Sequence, residues 1–225
     1  MLVIILIIFS LLIFIPQWWV SYVMKRYGKT IKELPGTGGE LAQHLIDRYK
    51  LPVTLEVTEQ GDHYDPEAKT VRLSPQYYNG KSLTAIAIAA HEVGHAVQDF
   101  RQEELLAVRG QMVKTSQRIQ KIGAAILFIA PVASAVSHSP HLGIFIAMIG
   151  LLSIGSDVLV HLMSLPVEFD ASFNKALPLL EEGKYVTEYD LVIIRKVLLA
   201  AALTYVAAAL AGLLNVWRWI AILKR

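Results

Sequence analysis

The 225-residue chain contains no cysteine. That excludes disulfides, a thiolate nucleophile, and any zinc or iron–sulfur centre held by sulfur. A metal in this protein has to be held by His, Asp and Glu. Charge is also scarce, at 18 % of residues, against about 25 % in an ordinary soluble domain. The 21 basic and 19 acidic side chains leave a net charge of +2, which gives no case for a nucleic-acid partner. Internal repeats and low-complexity tracts are absent. What fills the chain instead is apolar, 54 % of residues with a mean hydropathy of +0.46. Such a composition excludes disorder and argues against an ordinary soluble globule.

The charges that exist are unevenly spread. Residues 1–23, 122–156 and 197–217 carry none, whereas 24–121 holds 14 of the 21 basic and 12 of the 19 acidic residues. The pattern predicts a mainly α integral membrane protein with about four transmembrane helices. Residues 1–23 read as an N-terminal anchor, long enough for a hydrocarbon core of about 30 Å. Trp18, Trp19 and Tyr22 form its interfacial belt. A cleaved signal peptide is the alternative, but the stretch lacks a basic start and a small-x-small cleavage site. Residues 122–165 read as a transmembrane hairpin turning at Ser137-His138-Ser139-Pro140, with the first helix starting well before the membrane. Residues 197–225 make a last span and tail. Between these lie the polar segment 24–121 and a shorter one at 166–196. Lys and Arg cluster in 25–32, 109–121 and 175–196. With four spans, all three clusters fall on the cytoplasmic side, and only Arg218, Lys224 and Arg225 dissent.

Within the polar segment, 39–49 predicts a helix stopped by Pro52. Residues 53–59 alternate and are rich in β-branched residues, so they predict a strand, and 70–74 a second one after a turn at Asp65-Pro66-Glu67-Ala68. The two are expected to form a hairpin or small sheet beside the next helix. Its edge could take up substrate backbone as an added strand, or the sheet could merely cover the helix.

That helix carries the chemistry. SLTAIAIAAHEVGHAVQDF, residues 82–100, contains His91-Glu92-x-x-His95 among small and aliphatic neighbours. The five-residue pattern arises by chance in roughly one chain in a hundred of this composition. Positions i and i+4 stack on one helix face, so both imidazoles can bind one Zn²⁺ at about 2.0–2.1 Å. Glu92, turned about 100° from His91, can take a proton from an attacking water and act as general base. Gly94 leaves room for a close neighbour. A catalytic zinc needs a third protein ligand and an open position. Gln98 and Arg101 stand where the His-x-x-Gly-x-x-His extension would place its glycine and histidine, so the metzincin type is excluded. The best third ligand is Glu168, 73 residues beyond His95 and on the same side of the membrane. It stands at an expected helix start after Pro166. Asp170 is an alternative ligand or a residue that orients one. Asp99, at i+4 from His95, is a candidate to orient an imidazole, or a solvated helix end. Asp157 and His161 form an i, i+4 pair near the end of a span, functional or simply a packing hydrogen bond.

HEVGHAVQ and PVEFDAS, together with the N-terminal anchor and HYDPEAKTVRLSPQYY at 63–78, resemble the YugP-like neutral zinc membrane peptidases of bacteria. The resemblance runs along most of the chain. It implies one zinc, His91 and His95 as ligands, Glu92 as catalytic residue and Glu168 as third ligand, in a gluzincin-type, zincin-like α+β catalytic segment. More distantly the chain is similar to the CAAX-prenyl and heat-shock-type membrane zinc proteases. Those carry Glu-x-x-x-Asp after HExxH, and here the last position is Ser172, so Asp170 is the candidate substitute. The function expected is a membrane-embedded zinc endopeptidase of the bacterial plasma membrane with its site at the cytoplasmic face. Its partners would be the bilayer and a polypeptide substrate, membrane-associated or unfolded. Two alternatives are a site-2-type intramembrane protease using Asp157, and a non-catalytic membrane scaffold that holds zinc.

The topology is directly testable because no native thiol interferes. Single cysteines at Lys50 and Lys184 should both resist an impermeant thiol reagent in intact cells. Labelling of only one would separate segments 24–121 and 166–196 and break the site.

Overall fold

The computed structural model describes residues 2–223, with side chains described for 14–139, 141–153 and 155–213. The chain folds as two compact units, each assembled from separated segments. One comprises Met1–Ile13, Val108–Leu165 and Tyr205–Arg225, the other Phe14–Ala107 and Pro166–Thr204.

The second unit is built around one buried helix. Helix α1 (Leu2–Tyr27) leads to α2 (Gly38–Arg48), which opens with a capping box. Thr37 Oγ1 accepts from the Glu40 N–H at 3.1 Å and Glu40 Oε2 from the Thr37 N–H at 2.7 Å. Two otherwise orphaned donors are thereby satisfied. After the short helix α3 (Pro75–Tyr78), α4 (Leu83–Phe100) is capped by Ser82, whose hydroxyl accepts from Ala85 N–H at 3.1 Å. Every residue of α4 from Leu83 to Gln98 is buried. A helix apolar on all sides needs cover on all sides. Leu45 of α2, Val71 and Leu73 of the sheet, Leu180, Ile194, Val197 and Leu198 join the same core.

The sheet has three strands, β1 (Thr54–Val57), β2 (His63–Asp65) and β3 (Thr70–Leu73), in the order β1-β3-β2. The two strands foreseen from the sequence share this small sheet, as one of the two expected arrangements had it, but not as a hairpin: β1 runs parallel to β3, with Thr54 opposite Thr70 and Val57 opposite Leu73. The hairpin partner of β3 is β2, paired antiparallel. The expected turn joins them, with Asp65 Oδ1 accepting from the N–H groups of Glu67 and Ala68 at 2.9 and 3.0 Å. β3 takes the centre because its side chains are the buried ones. β2 escapes notice in the sequence because Tyr64 is its only apolar residue and its only buried one.

Three helices among the described residues are long and apolar enough to cross a membrane. They are α5 (Glu104–Ser137), α6 (Pro140–Phe169) with its continuation, and α8 (Glu188–Leu223). The expected first span at 1–23 lies largely on side chains outside the described residues. The turn between α5 and α6 lies where Ser137–Pro140 suggested, with His138 in the left-handed region at φ 51°. Small residues let these two helices touch, as is usual between membrane helices: a Cβ on Gly150 would stand 2.9 Å from the Gly123 carbonyl. Ser116 and Ser156 hydroxyls meet at 2.9 Å, and Arg109 donates to the Tyr205 hydroxyl at 2.9 Å.

One expectation is overturned. Pro166 does not start a helix but lies inside α6, which runs on to Phe169. A π-helix then spans Asp170–Ala176, followed by α7 (Leu177–Gly183). Proline deprives a helix of one internal hydrogen bond, a loss that tightly packed helices absorb. Widened turns of this kind occur at functional sites. Here the turn lies directly against α4. A Cβ on Gly94 would come 2.6 Å from the Ala171 carbonyl, closer than any real contact.

Gly94→Val should therefore force α4 and the π-helix apart. Overpacking of this kind costs about 1–3 kcal/mol, and thermal unfolding in detergent should shift down accordingly. An unchanged melting temperature would show that the contact is soft.

Candidate metal centre

His91 and His95 are buried, each 5 % exposed, on the face of α4 where Gly94 admits the π-helix. Their ring centroids are 4.7 Å apart. Glu168, 1 % exposed, comes from the last turn of α6. Its Oε2 is 3.1 Å from His91 Nε2 and 3.4 Å from His95 Nε2. The ligand atoms of these three residues all lie within 4.8 Å of one another, forming the buried cluster able to hold a metal ion among the described residues. Tetrahedral zinc with bonds of about 2.0–2.1 Å needs donors about 3.3 Å apart. The two His–Glu separations match that requirement, so the donor set fits zinc. Three protein ligands leave one position open, as in a catalytic site.

Each imidazole is also held from behind. Ser172 Oγ lies 3.1 Å from His91 Nδ1. Ser172 stands four residues after Glu168 and holds the ring with a hydroxyl. Its spacing, i+4 from Glu168, was the available signal. Gln98 Oε1 is 2.8 Å from His95 Nδ1. The metzincin pattern gives Gln98 no role, but its i+3 spacing from His95 on one helix face was the available signal.

Asp170 is no part of the ligand cluster. It accepts from Gln98 Nε2 at 2.7 Å, from Lys175 Nζ at 2.6 Å and, through Oδ1, from Asn174 at 2.8 Å. Lys175 in turn reaches Glu103 Oε1 at 2.9 Å. Asp99 turns the other way: it accepts from the Tyr64 hydroxyl at 2.5 Å and from Lys69 Nζ at 2.6 Å. It ties the sheet to the end of α4 and is not among the partners of either imidazole. Burial first, and then the hydrogen bond to Asp99, raise the Tyr64 hydroxyl far above the usual tyrosine range, so it remains a proton donor to Asp99. Asp157 pairs with His161 one turn on, at 3.3 Å, in the unit formed by the apolar helices. Glu92 is buried, 6 % exposed, immediately after His91.

The chain belongs to the family described as “Putative neutral zinc metallopeptidase”, whose model matches residues 2–224. It is 35 % identical over 218 residues to the “Putative membrane protease YugP” of Bacillus subtilis (strain 168), a match covering 92 % of this chain and 91 % of that protein. No solved structure matches the chain significantly.

Removing any one of three ligands should empty the site. Elemental analysis of His91→Ala, His95→Ala and Glu168→Ala should show near-complete loss of zinc, against about one zinc per chain in the unaltered protein. Full occupancy in Glu168→Ala would remove that residue from the ligand set.

Proposed function

We propose that this protein is a membrane-embedded zinc endopeptidase of the bacterial plasma membrane, multi-pass, with its site facing the cytoplasm. The observation that carries the reading is the cluster of three buried donors, His91 and His95 on α4 and Glu168 on α6, with the buried carboxylate of Glu92 next to His91. His91, His95 and Glu168 would hold the ion. Zinc, when bound, would supply Lewis acidity that polarises a peptide carbonyl and acidifies the attacking water. Glu92 takes the proton from that water as it attacks and returns it to the departing amine, serving two steps. Burial of α4 keeps bulk water from competing for that proton. Ser172 and Gln98 keep the imidazoles in orientation.

The substrate is a polypeptide, unfolded or membrane-associated, and the bilayer is the other partner. β1 is largely solvent-exposed and is one of the two edge strands of the sheet, so substrate backbone can add alongside it as a strand. Two competing readings fare worse. An intramembrane site-2-type protease would need Asp157 as a ligand and HExxH on a spanning helix; Asp157 pairs with His161, and α4 is not among the described helices apolar enough to cross a membrane. A zinc-holding scaffold would close its ion with four protein ligands, and the cluster has three.

Glu92→Gln keeps the size of the side chain and removes the base. Zinc content should be unchanged, while cleavage of unfolded casein should fall by roughly 10²–10⁴, the worth of general acid–base help. Both are measured on one preparation. Near-normal cleavage by zinc-loaded Glu92→Gln would sink the mechanism, and loss of zinc would recast Glu92 as structural.

A further inference from the structure

Gln98 lies one turn beyond His95 and is 1 % exposed. Its Nε2 is 3.0 Å from the Val167 carbonyl and 2.7 Å from Asp170 Oδ2, and its Oε1 is 2.8 Å from His95 Nδ1. The two ends of an amide have nearly the same shape, so hydrogen bonding must tell them apart. Val167's carbonyl has lone pairs and no proton, so only the nitrogen end can face it. The oxygen end therefore faces His95, and an oxygen of this kind only accepts. His95 Nδ1 must then carry a proton. In a neutral imidazole this leaves the lone pair on Nε2, the atom 3.4 Å from Glu168 Oε2. His91 has no such constraint, because the hydroxyl of Ser172 can donate or accept.

The geometry points to Gln98 as the positioning residue that holds His95 in the Nδ1–H tautomer, with its Nε2 lone pair reserved for the metal. Asp170, Lys175 and Glu103 hold Gln98 in that orientation. Asp170 Oδ2 accepts from both Gln98 and Lys175, and the ammonium of Lys175, 7 % exposed, is shared with Glu103. A chain of buried and half-buried side chains thus runs from the segment after α4 to a metal ligand. The competing arrangement puts the His95 proton on Nε2, where it bonds Glu168. That arrangement ties up two zinc donors at once, and the metal must then displace a proton before it can bind. Gln98 disfavours it by accepting at the other nitrogen.

This inference rests on the zinc reading above, and its test needs no proteolysis. Nitrogen-15 histidine NMR on metal-free full-length protein in micelles reads the tautomer, with His95 assigned by difference against His95→Asn. The unaltered protein should show a protonated Nδ1 and a bare Nε2 at His95. Gln98→Leu should move the proton to Nε2 and weaken zinc binding by about 10–100-fold, the usual effect of losing such a partner, measured by competition with a chelating dye. A wild-type His95 protonated on Nε2 would overturn the proposal without any Gln98 variant, so misfolding of Gln98→Leu cannot hide the answer. Unweakened zinc binding by Gln98→Leu would overturn it as well. Failure of the unaltered protein to bind zinc would instead defeat the peptidase reading, and the tautomer would still be read.

Discussion

Glycine at position 94 sets the distance between the two elements that carry the metal donors. With no Cβ there, the backbone of α4 approaches the Ala171 carbonyl so closely that any side chain would collide. Glu168 and Ser172 lie one turn apart on the opposing element, and both reach the His91 ring, one at each nitrogen. Had the helices stood a methyl group further apart, Glu168 would miss the 3.1–3.4 Å separations from the two imidazoles that zinc geometry requires. The widened π-helical turn is a second part of the same fit, since it spans Ala171, Ser172 and Lys175 at the contact.

Burial gives this arrangement its force and also makes it demanding. Two imidazoles and two carboxylates, those of Glu92 and Glu168, lie within a helix pair that water scarcely reaches. Ionisable groups removed from water are costly unless each is paired or bound to a metal. The structure answers with a partner behind each imidazole and with an ion pair, Lys175 between Asp170 and Glu103, behind the partner of His95. Such a network is worth most when every member is satisfied. It also explains why α4 is otherwise so apolar: Ala87, Ala89, Ala90, Val93 and Ala96 are fully buried and bring no further polar group that would need a partner.

The sheet and the first helices serve the same end from the outside. Val71 and Leu73 cover one side of α4 and Leu45 another, while Tyr64 and Lys69 converge on Asp99 near its end. Asp99 is a clear case of a residue whose position on the ligand-bearing helix suggests one task while its contacts assign another. It holds the sheet against the helix that Gln98, one residue earlier, connects to the ion pair.

Whatever depends on short-range periodicity was legible in the amino-acid order. The i, i+4 histidines of α4 and the turn at Asp65–Ala68 follow from spacings of a few residues, which backbone geometry translates directly into neighbours, and the helix at 39–49 and the charge-free runs follow from local composition. Glu168 was within reach because PVEFDAS, at the end of an apolar run, carries part of the family resemblance. Four features were decided only by the tertiary structure: the parallel pairing of β1 with β3, the passage of α6 through Pro166, the hold of Ser172 on His91, and that of Gln98 on His95. The strand pairing and the hold of Ser172 join distant parts of the chain, and the hold of Gln98, though local, takes its sense from a distant group. A glutamine's hydrogen-bonding sense is set by the carbonyl it meets, here Val167, 69 positions away, and no local pattern in the chain encodes that meeting.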